Sequence, residues 1–204
     1  MPGRDAILHL PAEGVVEAAL MRDLLAAAHD AHSGFIAFDR FADIDRLFGE
    51  FPFPGRYLAA PGFRYFDWRE QGLADSVVFG DELLLVGRVE LTSPGFLEFV
   101  GSLNPLEVVR QYLDDRHRRK QDREYRNREE ERQLGLENDL REIKVVRERL
   151  NLAREYGVPE ETLAPLLQGL LGQPLSILGG LQDRGVIDGS RAKLRELPPD
   201  ERRD

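Results

Sequence analysis

Four histidines are the candidates for a general base or an imidazole ligand: His9, His29, His32 and His117. The chain contains no cysteine, so thiolate ligands and nucleophiles are excluded. His29 and His32 are three residues apart, so a helix would present both imidazoles on one face. The helix of a zinc protease also carries a glutamate between its two histidines as the general base. This pair has none, and we therefore predict two surface histidines without a metal.

Three aspartates, Asp39, Asp43 and Asp45, have the carboxylate oxygens that a divalent cation prefers. Their spacing fits the polar face of a helix better than a metal site, so no metal and no cofactor is predicted. An enzyme would need a cleft, for which residues 65–68 and the acidic helix 38–46 are the candidates. No set of paired catalytic groups accompanies them. We therefore expect no catalytic residue and no enzyme activity.

A charged segment at residues 114–133 contains eight Lys or Arg and seven Asp or Glu. Its basic residues are the candidates for an electrostatic contact with nucleic acid, anionic lipid or an acidic partner: Arg116, Arg118, Arg119, Lys120 and Arg123. Nucleic-acid binding depends on neutralising phosphates with Lys and Arg. The interleaved acids, and a formal net charge of −9, oppose it. We favour a solvated helix stabilised by acid–arginine pairs four residues apart, such as Asp114–Arg118.

One long helix, from about Pro105 to about Tyr156, is predicted to carry this charged segment. Asn104 suits the N-cap, Pro105 suits the first turn, and Glu107 completes a capping box. No proline interrupts the stretch, and Gly157 supplies a stop. A straight helix of this length would span roughly 78 Å, which a compact chain of 204 residues cannot bury.

The distal third of the predicted helix regains an apolar stripe, whose members are Leu136, Leu140, Ile143, Val146 and Leu150. One interpretation is a coiled-coil seam that joins protomers. The other is that a hairpin of two leucine-rich helices, at about 159–171 and 174–184, covers the stripe within the same chain. The pattern does not choose between them, and the two are compatible.

The N-terminal half is predicted to be a small α/β head. Its expected elements are a strand at 6–10, helices at about 13–31 and 35–48 separated by Ser33-Gly34, a loop at 51–75, a β-hairpin at 76–91 turning at Gly80-Asp81, and a short helix from Ser93-Pro94 to Val100. Both faces of the strand from Glu82 to Leu91 are partly apolar, so we predict that it lies inside the sheet.

Two stretches, Ser93-Pro94-Gly95-Phe96 and Gly101 to Glu107, carry a resemblance, which continues through Tyr112 and Arg116 to Arg119. Over residues 88–187 the chain resembles a group of uncharacterised bacterial proteins with a small N-terminal α/β region, this junction and a long charged helix. The resemblance implies a bacterial source and an interaction role. It implies no activity and no site residue.

The predicted architecture is α+β and has three parts: a head at 1–104, the long helix with its helical hairpin at 105–187, and a polar tail at 188–204. The absence of cysteine, of a signal-peptide pattern and of an apolar run of about 20 residues favours a cytoplasmic protein without a membrane span. We expect a non-enzymatic scaffold or adaptor that forms homo-oligomers, or binds another protein, through helix–helix contacts. The alternative is a ligand- or nucleic-acid-binding protein that uses the Arg-rich segment.

Overall fold

A computed structural model describes residues 5–12, 17–48, 82–90, 94–123, 143–155 and 160–198, and the structural statements below concern these ranges. They form four strands, β1 (Asp5–Ala12), β2 (Leu85–Glu90), β3 (Gly95–Ser102) and β4 (Lys193–Glu196). Their α-helices are α1 (Ala18–Phe48), α2 (Leu103–Arg123), α3 (Lys144–Glu155), α4 (Glu160–Leu167) and α5 (Gln173–Asp183). The predicted α+β class is confirmed.

The four strands form one sheet in the order β2-β3-β1-β4, with every neighbouring pair antiparallel. The chain passes from β1 through α1 to β2, which runs parallel to β1 with β3 between them. From β3 the chain passes through the remaining helices to β4, which runs parallel to β3 with β1 between these two strands. The topology is therefore two interlocked split β–α–β units. Strand β4 lies in the predicted polar tail, where no strand was expected.

Strand β3 shows why the helix predicted from Ser93-Pro94 to Val100 is wrong. Leu97 and Phe99 are buried, whereas the alternating Phe96, Glu98 and Val100 are half-buried. That period of two places one face of the strand on the helices and turns the other away from them. β3 pairs with β1 and β2 along its length, so sheet pairing prevails over the local Ser-Pro helix-start signal.

Helix α1 runs without a break through Ser33 and Gly34, so the two shorter helices predicted there are wrong. Gly34 lies against a π-helical turn, Gln168–Gly172. A Cβ atom on Gly34 would lie 2.9 Å from the carbonyl carbon of Leu170 and closer still to its oxygen. The glycine therefore permits a close approach of two helices and does not end one.

Helices α4 and α5 are joined by that π-helical turn, so the chain stays helical through residues 160–183 and the predicted hairpin is wrong. Pro174 has no N–H with which to make the usual bond to the carbonyl of Leu170. A π-helix bonds five residues apart, and this local change of register accommodates a proline inside a continuous helix.

The predicted helix from Pro105 to Tyr156 is not present as one element. Helices α2 and α3 both pack against α1, and they also contact each other. A straight helix would separate Val109 from Val146 by roughly 55 Å, yet both lie in the same hydrophobic core. The cause is that the chain's own helices bury Ile143, Val146 and Leu150 of the distal apolar stripe. Residues 124–142 and 156–159 lie outside the described ranges.

A single hydrophobic core crosses the predicted boundary between residues 104 and 105. Leu106, Val109 and Leu113 are buried in it, which confirms that the start of α2 docks on the N-terminal part. The buried Gln182 adds a polar link, because its Nε2 donates a 3.0 Å hydrogen bond to the backbone oxygen of Leu113. None of the described helices combines the length and apolarity needed to cross a membrane.

The C-terminus of α5 gives a first testable prediction. Gly185 has a φ of 73°, and the backbone nitrogens of Gly185 and Val186 donate to Gln182 and Leu181, the bonding pattern of a Schellman motif. Gly185→Ala is expected to lower the free energy of unfolding by about 1–2 kcal/mol, since an alanine Cβ disfavours the left-handed conformation. Urea denaturation would measure the change. Gly185→Asn should lose less, and equal losses for the two variants would contradict this explanation.

Candidate functional site

The face of the sheet that points away from the helices carries a cluster of polar and aromatic side chains. By register, Lys193, His9, Glu98 and Arg88 lie side by side across all four strands. His9 Nδ1 lies 3.3 Å from a carboxylate oxygen of Glu98, and the imidazole and Phe96 rings have centroids 4.7 Å apart. The Arg88 guanidinium lies 5.0 Å from the centre of the Phe96 ring.

Among the described residues, this cluster contains the pair closest in type to catalytic machinery, His9 and Glu98. The contact between Nδ1 of His9 and Glu98 leaves Nε2 as the nitrogen available for proton transfer. A nucleophile or a bound electrophile would be needed beside Nε2, and the neighbours across the sheet are Lys193, Arg88 and Phe96. In this arrangement His9 packs on Phe96 and forms a hydrogen bond with Glu98.

Exposed apolar side chains concentrate beside this cluster, at β2. Five large apolar side chains in the described ranges are exposed, and four of them are Leu83 (43%), Leu85 (45%), Val86 (50%) and Val89 (44%). The fifth is Ile177 on α5, at 39%. We call the side chains of residues 83–90 the β2 surface. The strand was predicted to lie inside the sheet; instead it is the end strand of the four described.

A β-bulge decides which way the β2 side chains point. Leu85 pairs with Val100 and Val86 with Phe99, but the register shifts between Val86 and Arg88. Gly87 occupies the extra position, as is common at sheet edges. After it, Arg88 faces Glu98 and Val89 faces Leu97. Both valines therefore lie on the helix side of the sheet and are nevertheless exposed.

The residues predicted to join protomers occupy a different environment. Ile143, Val146 and Leu150 are at most 1% exposed and belong to the chain's own core. Leu136 and Leu140 lie outside the described ranges. Of the two interpretations of this stripe, burial within the same chain accounts for the three residues that are seen.

The predicted electrostatic surface is partly used inside the chain. Arg116 places Nη2 2.5 Å from a carboxylate oxygen of Asp183 and donates from Nη1 to the Tyr112 hydroxyl at 3.3 Å. Burial works to lower the pKa of Arg116, but the hydrogen bond to Asp183 and the nearby charges hold it above its ordinary value. The Arg116 side chain also packs against Gly179: a Cβ atom on Gly179 would lie only 2.7 Å from Cδ of Arg116. Arg116 thus links α2 to α5.

The other basic candidates follow Arg116 on α2. Arg118 is exposed and donates to Asp114 at 2.7 Å, the pair four residues apart that the sequence predicts. Arg119, Lys120 and Arg123 belong to the same helix, but their side chains are outside what the structure describes. An electrostatic contact through these three stays a prediction.

The prediction that His29 and His32 both lie on the surface is wrong for His32. Its side chain is fully buried, and its Nε2 accepts a 3.2 Å hydrogen bond from the backbone nitrogen of Ser102. A Cβ atom on Gly101 would lie 2.7 Å from Nε2 of His32, so the glycine makes room for the imidazole ring. His29 is half-buried and contacts Asp30 at 3.4 Å. The buried histidine therefore fixes α1 to the junction of β3 and α2.

The acidic candidates form no metal site in the described ranges. Asp39 pairs with Arg149 of α3 at 2.5 Å, which links α1 to α3. Asp43 and Asp45 belong to α1, but the structure does not describe their side chains. Residues 65–68 lie outside the described ranges. Among the described residues there is no group of three or more His, Cys, Asp or Glu that could hold a metal ion.

Comparisons of the chain with protein-family models, with characterised proteins and with solved structures found no match. No family is assigned. The feature of the described fold that most favours a function is then the β2 surface, because core packing and intramolecular ion pairs account for the five predicted interface and electrostatic residues whose side chains are described: Arg116, Arg118, Ile143, Val146 and Leu150.

Proposed function

We propose that the chain is a non-enzymatic oligomerising scaffold or adaptor, and that it binds a second copy of itself through the β2 surface. The observation that carries this proposal is the concentration of exposed Leu83, Leu85, Val86 and Val89 on β2 and immediately before it. Single exposed apolar residues are ordinary on a protein surface, but exposed apolar patches mark interaction sites. Val86 and Val89 lie on one face of β2 and Leu85 on the other, so the exposed apolar surface follows the edge of the strand.

The position of β2 in the sheet supports the same conclusion. A strand at the end of a sheet presents backbone N–H and C=O groups that can pair with another chain. The charge of the β2 surface also suits a second copy. A net charge of −9 makes two chains repel each other, whereas Arg88 and Glu90 leave this surface locally neutral.

The proposal moves the interface predicted from sequence. Helix–helix contacts through Ile143, Val146 and Leu150 would require these side chains to leave the chain's own core. The β2 surface needs no such rearrangement, because its apolar side chains are already exposed.

Size-exclusion chromatography with light scattering, over a range of micromolar concentrations, tests the proposal. The wild-type mass should rise with concentration from 23.2 kDa, the mass of one chain, towards twice that value. Val86→Lys should weaken association by about tenfold or more, since each copy then carries a charge among the apolar side chains of the β2 surface. Ile177→Lys is the matched control, because it adds the same charge at the one exposed apolar residue on α5.

A wild-type chain that stays at 23.2 kDa throughout would refute self-association. Equal weakening by Val86→Lys and Ile177→Lys would show that added charge, and not the β2 surface, controls the mass. Circular dichroism of each variant would show whether the fold is kept.

A further inference from the structure

We infer that two copies of the chain pair antiparallel along β2, about a two-fold axis at Val89, so that Arg88 of each copy lies opposite Glu90 of the other. This inference rests on the proposed function, and it specifies how the partner is recognised. It is carried by the order of charged and apolar residues along β2, by the faces on which they lie, and by the exposure of the strand.

A two-fold axis makes every contact reciprocal, so a strand that pairs with its own copy must be self-complementary. In β2 only one antiparallel register sets opposite charges directly opposite each other, and it places Val89 against Val89 of the partner subunit. Centring the pair on Arg88 or on Glu90 would bring like charges together, which is destabilising in a sheet. The strand therefore favours one register over its neighbours.

The faces of β2 agree with this register. Arg88 and Glu90 are both on the side of the sheet away from the helices, since they pair with Glu98 and Phe96 of β3. Val89 points to the other side, opposite Leu97. The two reciprocal ion pairs would thus form on one face, and the contact between the two valines on the other. The bulge at Gly87 precedes the paired residues and does not interrupt them.

The charges that would pair between copies are already close within each copy. Arg88 Nη2 lies 3.2 Å from a carboxylate oxygen of Glu90, and the two side chains are 65% and 40% exposed. An ion pair this exposed contributes little to stability. Loss of this one ion pair therefore costs each chain little, and in the paired copies both charges stay on the face where they already lie.

Charge reversal with rescue tests the register by sedimentation velocity on the full chain. Arg88→Glu alone, or Glu90→Arg alone, should weaken self-association by about tenfold, because each creates two like-charge contacts across the axis. An equimolar mixture of these two variants should form a heterodimer, since both contacts then join opposite charges. The double variant Arg88→Glu/Glu90→Arg should regain the wild-type affinity. Lys193→Glu, on the opposite edge strand, is the control for the change in net charge.

The rescue distinguishes failure of this inference from failure of the proposed function. If Val86→Lys dissociates the dimer but the mixture of single variants does not form a heterodimer, the register is overturned and the β2 interface stands. A wild-type monomer overturns both. The first strand of the predicted hairpin, residues 76–79, lies outside the described ranges. Restored association in the mixture and in the double variant supports the register, because a purely structural effect of either substitution would not be cancelled by its counterpart on another chain.

Discussion

Replacing Gly34 by alanine is expected to lower the free energy of unfolding by about 3 kcal/mol, towards the upper end of what overpacking costs. The added Cβ would lie 2.9 Å from the carbonyl carbon of Leu170 and closer to its oxygen. These are backbone atoms of a helix, so no side-chain rotation relieves the clash. Helix α1 would have to move away from the π-helical turn, and the core between them would open.

The intrinsic helix preference of alanine works in the opposite direction. Inside a helix, alanine is favoured over glycine by about 1 kcal/mol, so a position without a close contact should gain stability from the same substitution. Gly180 on α5 is such a position, because a Cβ there would meet no atom within 4 Å. Gly180→Ala is therefore the matched control, with an expected gain of about 0.5–1 kcal/mol.

Chemical denaturation of both variants would measure the contrast. The predicted result is a lower urea midpoint for Gly34→Ala and an unchanged or higher one for Gly180→Ala. If Gly34→Ala is as stable as the wild-type chain, then α1 and the π-helical turn do not approach as closely as described. A break in α1 at Ser33-Gly34, as the sequence suggests, would then become the better interpretation.

Leu150→Ala is expected to have a comparable effect, a loss of about 2–5 kcal/mol in the free energy of unfolding. Leu150 is 1% exposed and lies in the core that α3 shares with α1 and α2. Truncating it removes buried methyl groups and leaves a cavity whose walls relax only partly. The size of the loss depends on how far the neighbouring helices close the gap.

This prediction separates a core position from an interface between chains. The measurement is urea denaturation at a protein concentration low enough for the chain to be monomeric. A core residue destabilises the monomer, whereas an interface residue changes the mass of the assembly and leaves the monomer nearly unaffected. Ile177→Ala, at an exposed helical position, is the control and should change stability by less than about 1 kcal/mol. Equal small effects of both substitutions would return Leu150 to the list of interface candidates.

Local signals explain which elements the sequence predicts correctly. Helix α2 begins at Leu103, two residues before the predicted start at Pro105, so Asn104 lies inside the helix and not at its N-cap; α3 ends at Glu155, close to the predicted stop at Gly157. The apolar spacing of Leu106, Val109 and Leu113 gives the face that docks. Each of these signals acts within a few residues, where capping hydrogen bonds and helical periodicity are decided.

Contacts between distant residues decide most of what the sequence misses. Gly34 suggests a helix break until Leu170 is found beside it, and His32 suggests a surface residue until the backbone of Ser102 meets its ring. The same holds for β4, whose residues have no apolar alternation of their own and become a strand by pairing with β1. A single sequence records the side chains at these positions but not their neighbours.

By itself, the sequence determined the α+β class, the strand β1, the ends of several helices and the apolar face of α2. Only the tertiary structure decided that α2 and α3 are separate helices on one core, and that β2, which was predicted to be interior, has exposed Leu85, Val86 and Val89. The physical reason is that helix propensity, capping and periodicity act between neighbours in the chain. Burial depends on which distant elements pack over a residue, and an apolar side chain looks the same in a core and at an interface.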